Sequence, residues 1–350
     1  MEDLKMMVLP RNILMGSGVI ERIPEVIGRL GLPREIRVVC DRGTHEVAGH
    51  RAISLLTGAG LPATPFLLVA ADRQTVERLK AEMSEGTLLV AVGGGRAIDV
   101  AKVAAFERGN EFISVPTAAS HDGIASDRAS IREADGTKRS SAARPPIAVV
   151  ADLEIISRSP RRLWVSGFGD VVSNKTAVLD WHLAHRIQGE YLSHYAATLS
   201  ELSADVLMNS AEVVASGSVE GIRILVKSLV LSSVAMSIGG SSRPASGAEH
   251  LFSHTLDRIA PAPAFHGEQC GVGAIIMMYL HGGDWERIRS ALSTVGAPVD
   301  AVGLGMGEET IVEALVTAHR ENPARYTILD GGIDRRAAEQ ACRVTGVISR

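Results

Sequence analysis

Cysteine is scarce in this chain. Only Cys40, Cys270 and Cys342 are present, too few and too scattered for a disulfide framework, which points to a reducing, cytoplasmic setting. A block of one charge sign is also missing. Lys and Arg together number 36 against 40 Asp and Glu, and the formal charge is -4, so nucleic acid is not expected as a partner. Long apolar runs are lacking. "CGVGAIIMMYL" is too short to span a bilayer and Lys227 interrupts another stretch, so no membrane span is expected. The acidic opening "MEDLKMMVLPRN" has no apolar core of the kind a secretory leader carries. Aromatics are sparse at 4%, and neither solenoid-length repeats nor low-complexity tracts are found.

What is present is a hydrophobic share of 46% over 350 residues, enough for a large core in two domains. In residues 1–157 short apolar runs alternate with amphipathic ones. "IRVVC", "TPFLLV", "TLLVAV", "EFISVP" and "IAVVAD" read as buried parallel strands, being continuously apolar and rich in β-branched residues. Helical stretches at Gly43–Leu56, Asp72–Met83 and Arg96–Phe106 lie between them, which predicts a doubly wound, mainly parallel α/β sheet domain. "RASIREADGTKRS" reads as a hairpin turning at Asp135-Gly136. In residues 158–350 the strand signals stop. Helical spacing at Asp170–Arg186, His194–Ala215, Gly221–Met236, Ala248–Ile259, Gly267–Leu280, Glu308–Arg320 and Arg335–Val347 predicts an all-helical domain. Its apolar surface would suit a homo-oligomer.

Two loops after strands could receive a nucleotide. "LLVAVGGGRAIDVAK" sets Gly93-Gly94-Gly95 between a strand and a helix, where backbone can approach a pyrophosphate and the helix offers free N–H groups. The spacing is not G-x-G-x-x-G, and a plain tight turn remains the alternative. "VPTAASHDGIAS" brings Thr117, Ser120 and Ser126, hydroxyls that could serve either a cofactor or a helix cap. Asp41 ends "IRVVC", where a carboxylate can bind ribose hydroxyls and favour NAD. Arg42 beside it could hold a 2′-phosphate, so NAD(H) and NADP(H) both stay open.

"ASGAEHLFSHTLDRIAPAPAFHGEQCGVG" holds His250, His254 and His266. The first two are i and i+4 on one helix face, and the third opens the next helix. Asp170 in "SGFGDVVSNK", at an expected helix start, could add a carboxylate, and such a set suits Zn²⁺ or Fe²⁺ with one position open. Ordinary core histidines are the competing reading. Cys270 reads as a small core residue, and His182, His185, His194 and His281 belong to no evident group.

"GGGRAIDVAK", "VPTAASHDG", "GFGD", "SGAEHLFSH" and "FHGEQCGVG" occur in the order and spacing of the iron-containing alcohol dehydrogenase and glycerol dehydrogenase superfamily, which this chain resembles along essentially its whole length. The resemblance implies the dehydroquinate synthase-like fold of that superfamily. It implies one metal per chain on Asp170, His250 and His266, Zn²⁺ by preference with Fe²⁺ or Ni²⁺ as alternatives. It places a dinucleotide against Gly95, Arg96, Ala97, Ile98, Asp99, Thr117, Ala118, Ala119, Ser120 and Ser126, to which the strand end and the glycine turn add Asp41 and Gly94. It sets Asp122 and His254 against the substrate as candidate catalytic groups, with Asp170 beside them.

"SSRPASGAEH" differs from the glycerol-specific pattern by adding Arg243, an expected phosphate anchor, with Lys227 and Lys138 as substitutes. The implied substrate pair is therefore dihydroxyacetone phosphate and sn-glycerol 1-phosphate, the backbone unit of archaeal ether phospholipids. A glycerol or polyol dehydrogenase of the same superfamily, or a dehydroquinate synthase-like lyase, are the competing activities.

Overall fold

The computed structural model describes residues 7–31, 35–133, 138–262 and 264–349. The chain divides into two compact units, Met1–Pro160 and Arg161–Arg350.

The first unit is built on strands β1 (Asn12–Gly16), β2 (Glu35–Cys40), β3 (Ala63–Leu67), β4 (Thr87–Gly93), β5 (Phe112–Pro116) and β8 (Ala148–Asp152). They form a six-stranded sheet in the order β1-β8-β5-β4-β2-β3, parallel at each pairing. The central strands β4, β5 and β8 are buried at each residue, which is why they read as unbroken apolar runs. β1 escapes the pattern. It is an edge strand, half exposed, paired only with β8, and "NILMG" carries no alternation to mark it. Helices α1 (Ile23–Leu30), α2 (Arg42–Thr44), α3 (His50–Gly58), α4 (Arg73–Ala81), α5 (Gly95–Arg108) and α6 (Leu153–Ser157) link the strands. A π-helical segment, His45–Gly49, joins α2 to α3. β6 (Arg128–Arg132) and β7 (Lys138–Ala142) pair antiparallel as a separate hairpin. The turn expected at Asp135-Gly136 lies outside the described residues.

The second unit is helical throughout: α7 (Arg161–Val172), α8 (Asn174–Gln188), α9 (His194–Asn209), α10 (Ala211–Ala215), α11 (Val219–Gly239), α12 (Ala248–Ile259), α13 (His266–Leu280), α14 (Trp285–Val295), α15 (Glu308–Thr317) and α16 (Arg335–Val344). The single helix expected over His194–Ala215 is broken at Ser210 into α9 and α10. α11 is long and apolar enough to cross a membrane by length and composition, with a mean hydropathy of 1.6 in its most apolar window. That window is 67% buried within the protein, and α11 packs against α7 and α9.

One correction bears on the site. Asp170 was expected at the start of a helix, but it sits near the end of α7, and the next helix begins only at Asn174. α7 runs straight through Gly167 and Gly169. The reason is packing. A Cβ at Gly169 would stand 2.2 Å from the Gly267 carbonyl oxygen, and one at Gly267 would stand 1.8 Å from the Ser166 carbonyl oxygen. α7 and α13 therefore cross backbone against backbone, and only glycine fits at the crossing. Gly169→Ala should force the helices apart and cost about 1–3 kcal/mol or more by overpacking. Chemical denaturation checks this, and an unchanged midpoint would show that the crossing is looser than described.

Candidate metal centre

The crossing fixes the first two side chains. α13 is fastened to α7 at its start. Arg162 Nε and Nη2 donate to the two Glu268 carboxylate oxygens at 2.7 and 2.8 Å, and the Gly267 amide donates to Ser166 Oγ at 3.2 Å. Asp170, one residue after the glycine contact, thus faces His266, the first residue of α13. α12 supplies His250 and is anchored separately. Buried Asp180 on α8 accepts from the Ala248 amide at 2.7 Å, from the Ile328 amide at 2.6 Å and from His281 Nε2 at 3.0 Å. Burial pushes the Asp180 carboxyl up, and the His281 bond opposes that shift. His281, which belonged to no evident group in the sequence, is thus the partner of this buried carboxylate. Gly247 precedes α12 because a Cβ there would meet Asp180 Oδ2 at 2.6 Å.

These anchors bring four donor groups together. Asp170, His250, His266 and Cys270 each offer an atom, and the atoms lie within 4.8 Å of one another. Asp170 Oδ1 is 3.8 Å from His250 Nε2 and 3.7 Å from His266 Nε2. Donors held about 2.0–2.2 Å from a tetrahedral cation stand about 3.3–3.6 Å apart, so the observed spacing needs only slight contraction.

Hydrogen bonds behind the rings decide which nitrogen faces this point. Gln269 Nε2 donates to Asp257 Oδ1 and the Ala264 carbonyl, both at 3.2 Å, which fixes its amide orientation. Gln269 Oε1 then accepts the Ser253 hydroxyl proton at 2.6 Å. Having spent its proton, Ser253 Oγ accepts from His266 Nδ1 at 3.0 Å. His250 Nδ1 likewise donates to Glu249 Oε1 at 2.9 Å. Glu249 is fully buried and also accepts from Thr176 Oγ1 at 2.8 Å and the Gly247 amide at 2.6 Å. Burial alone would raise its carboxyl, but the bonds from His250 and Gly247 outweigh that, and the net shift is downward. Each Nδ1 thus carries a proton, and Nε2 of each ring faces Asp170. Two imidazole nitrogens and a carboxylate oxygen converge on one point, an arrangement that a divalent cation can join. The donor set fits a divalent metal.

Cys270, read from the sequence as a core residue, is buried with Sγ 3.6 Å from His266 Nε2. Burial pushes its thiol up, with His250 working the other way. Cys270 is thus a fourth group at this point, beside Asp170, His250 and His266. His254 lies outside that group but beside it, half-buried, its ring stacked on His266 with centroids 6.0 Å apart.

Arg243 is placed differently from expectation. It belongs to a short 3-10 helix, Arg243–Ala245, separate from α12, and its side chain is buried. Nε donates to Glu190 Oε1 at 2.7 Å, Nη2 pairs with Glu190 Oε2, and Nη1 donates to the Tyr326 carbonyl at 2.8 Å. The guanidinium fork that a phosphate would need is closed on the Glu190 carboxylate in this structure, so Arg243 ties Glu190 to the Tyr326 carbonyl. Lys227 is exposed on α11, and the side chain of Lys138 lies outside the described residues.

In the first unit, Gly94 caps α5 without a side-chain bond, and nothing lies within 4 Å of where its Cβ would be. Space is therefore open at Gly94, while the next residue, Gly95, lies against His121. Asp41 caps α2 through the Thr44 amide at 2.9 Å, and Arg96 Nη2 donates to Asp41 Oδ2 at 2.9 Å. Arg96, not the neighbouring Arg42, is the arginine paired with Asp41. Ala97, Ile98, Asp99, Thr117, Ala118, Ala119 and Ser126 are buried, and Ser120 and Asp122 are half-buried. Asp99 Oδ2 accepts from the Ser130 amide at 3.1 Å, and Ser126 Oγ accepts from the Arg128 amide at 3.3 Å. Both side chains are thus engaged within the unit, so what Ala97, Ile98 and Asp99 offer outward is backbone.

A parallel-sheet unit followed by a helical unit is the fold shared with solved iron-containing alcohol dehydrogenases, and the model of the family described as iron-containing alcohol dehydrogenase matches residues 14–160. A solved structure of glycerol dehydrogenase from Schizosaccharomyces pombe shares the fold, with a TM-score of 0.80 at 19% identity over 99% of this chain and 94% of that one. Within the class, the chain belongs to the glycerol-1-phosphate dehydrogenase family. It is 52% identical to the glycerol-1-phosphate dehydrogenase (NAD(P)+) of Methanosarcina acetivorans over 347 residues, 99% of this chain and 97% of that protein. It is 48% identical to the protein of the same name from Thermococcus kodakarensis, over 99% of each chain.

Two outcomes test the centre. Glu249→Gln weakens the bond that orients His250 and should lower Zn²⁺ affinity about tenfold or more, read by chelator competition, while His266→Ala should leave well under one metal per chain. Unchanged affinity in both would remove these residues from the site. Arg243→Ala should cost about 1–3 kcal/mol of stability and reduce turnover of phosphorylated and unphosphorylated ketones alike. A loss confined to the phosphorylated ketone would restore Arg243 as an anchor.

Proposed function

We propose that this protein reduces dihydroxyacetone phosphate to sn-glycerol 1-phosphate with NADH or NADPH, supplying the glycerophosphate backbone of archaeal ether phospholipids. The observation that carries this reading is the buried convergence of Asp170, His250 and His266, in a chain about half identical along its length to proteins named for that reaction.

In this reading Asp170 Oδ1, His250 Nε2 and His266 Nε2 hold one divalent cation, Zn²⁺ by preference, with Fe²⁺ or Ni²⁺ also suited to nitrogen and oxygen donors. When bound, the cation supplies Lewis acidity toward a ketone oxygen and the nicotinamide supplies hydride. The chain's own groups do the rest. The N-terminus of α5 offers backbone N–H groups at Gly95 and Arg96 to a pyrophosphate. Thr117, Ala118, Ala119, Ser120 and Ser126 line the neighbouring loop.

Asp41 and Arg96 meet the adenine ribose. The carboxylate accepts from the ribose hydroxyls of NAD, and the guanidinium, once released, pairs with the 2′-phosphate of NADP. His254 and Asp122 are the two groups proposed to bind substrate and to return a proton to the reduced oxygen. Half-burial lets the His254 ring exchange that proton with solvent. We place the protein in the cytoplasm as a homo-oligomer. Its three cysteines are buried and unpaired, which accords with a reducing compartment.

The test is turnover of NADH and NADPH with dihydroxyacetone phosphate and with dihydroxyacetone. Preference for the phosphorylated ketone supports the reading; preference for dihydroxyacetone would favour a polyol dehydrogenase, and turnover of neither would open the lyase alternative. Asp41→Ala should move the ratio of kcat/KM values toward NADPH by about tenfold or more, since a carboxylate facing the 2′-phosphate is removed and Arg96 is freed. A constant ratio would place Asp41 away from the ribose.

A further inference from the structure

The loop between β5 and β6 has little structure of its own beyond a 3-10 turn at Asp122–Ile124, yet it carries Ser120, Asp122 and Ser126. What holds it is a buried charge. Lys102 lies on α5, about two turns beyond Gly95, with no exposed surface. A lysine is rarely this buried unless its ammonium is fully used. Here Nζ donates to the Arg128 carbonyl at 2.6 Å, to the Gly123 carbonyl at 2.8 Å and to Ser126 Oγ at 3.5 Å. Its three protons meet three acceptors, two on the loop and one on Arg128, the residue that begins β6. Asp99, one turn earlier on α5, has Oδ1 at 3.9 Å from Nζ and holds the Ser130 amide through Oδ2.

The grip returns to the start of the helix. The Gly123 amide donates to His121 Nδ1 at 2.9 Å, and the His121 ring is wedged between two glycines. A Cβ at Gly95 would lie 2.1 Å from His121 Nε2, and one at Gly123 would lie 2.2 Å from its Cε1. Lys102, Gly123, His121 and Gly95 thus form a closed circuit from the middle of α5 to its first residue. Burial works against the Lys102 ammonium, while Asp99, Asp122 and Asp127 favour it, and the net shift is downward.

We infer that Lys102 is a positioning residue for the reaction: its ammonium locks the 121–128 loop onto α5, so that Asp122, Ser126 and the glycine turn keep a fixed mutual geometry. This rests on the proposed dinucleotide-dependent reduction. Nothing in the circuit requires Lys102 itself to touch substrate or cofactor. Replacing the ammonium removes the Lys102 donor from the Gly123 carbonyl and leaves the Arg128 carbonyl with a long bond from Ser126 Oγ at 3.4 Å, a penalty the loop relieves by shifting.

The experiment uses the full-length metal-loaded protein, with NADH binding followed by fluorescence and turnover measured at saturating NADH, both well below the melting temperature. Lys102→Met should raise the Kd for NADH about tenfold or more and lower kcat by a similar factor. In Lys102→Ala, n-propylammonium has the length of the deleted side chain and should restore part of the rate, whereas uncharged 1-propanol should not. If either variant fails to fold, hydrogen exchange on the wild-type protein decides. The Ser130 amide and the amides of 121–128 should be protected within about tenfold of those in α5, and free exchange there overturns the proposal.

A lower melting temperature with unchanged Kd and kcat would reduce Lys102 to a structural residue and also overturn it. Equal rescue by 1-propanol would replace the charge with simple packing and overturn it as well. Failure of the underlying reading looks different: wild-type protein would then bind neither NADH nor NADPH.

Discussion

The candidate metal centre depends on how closely α7 and α13 approach. Asp170 is near the end of one helix and His266 is the first residue of the other, and side chains of these lengths can share an ion only if the backbones nearly touch. Gly169 and Gly267 permit that contact. The Arg162–Glu268 pair and the Ser166 hydroxyl then hold the start of α13 in place. A methyl group at either glycine displaces one donor by more than coordination tolerates. α12 joins under a similar constraint, since a Cβ at Gly273 on α13 would stand 3.2 Å from the Glu249 Cα.

The surrounding hydrogen bonds orient the donors. Glu249 and Ser253 commit the Nδ1 atoms of His250 and His266 to the protein side, so both Nε2 atoms face Asp170. A cation bound by these groups should stabilise the helical unit as well as equip it for chemistry. Asp180 serves one step further out, tying the α12 start and His281 together.

Much of this was legible in the sequence, for identifiable reasons. β4, β5 and β8 are buried on both faces and show as unbroken apolar runs, and the spacing of His250, His254 and His266 marks one helix face and the next helix start. Other features were hidden because they depend on partners distant in the chain. Asp170 reads as a helix start until the helix opposite Gly169 is known. Arg243 reads as a phosphate ligand until Glu190 closes on it. Arg96 is paired with Asp41 across 55 positions, a distance at which no local pattern could rank it above the adjacent Arg42. Lys102 sits in an apolar helix and gives no hint that its acceptors lie on the 121–128 loop and the first residue of β6. Glu249 was visible in the motif, and its hydrogen bond to His250 could have been suspected from adjacency to a candidate ligand.

The account stands on three acceptor atoms meeting at one cation. The most direct measurement is anomalous diffraction at the zinc edge from crystals of the Zn²⁺-loaded protein. The expected result is a single strong peak about 2.0–2.2 Å from Asp170 Oδ1, His250 Nε2 and His266 Nε2, with both Nδ1 atoms still bonded to Glu249 and Ser253. A peak elsewhere, or a metal held through an Nδ1 atom, would contradict the arrangement from which the proposed chemistry follows.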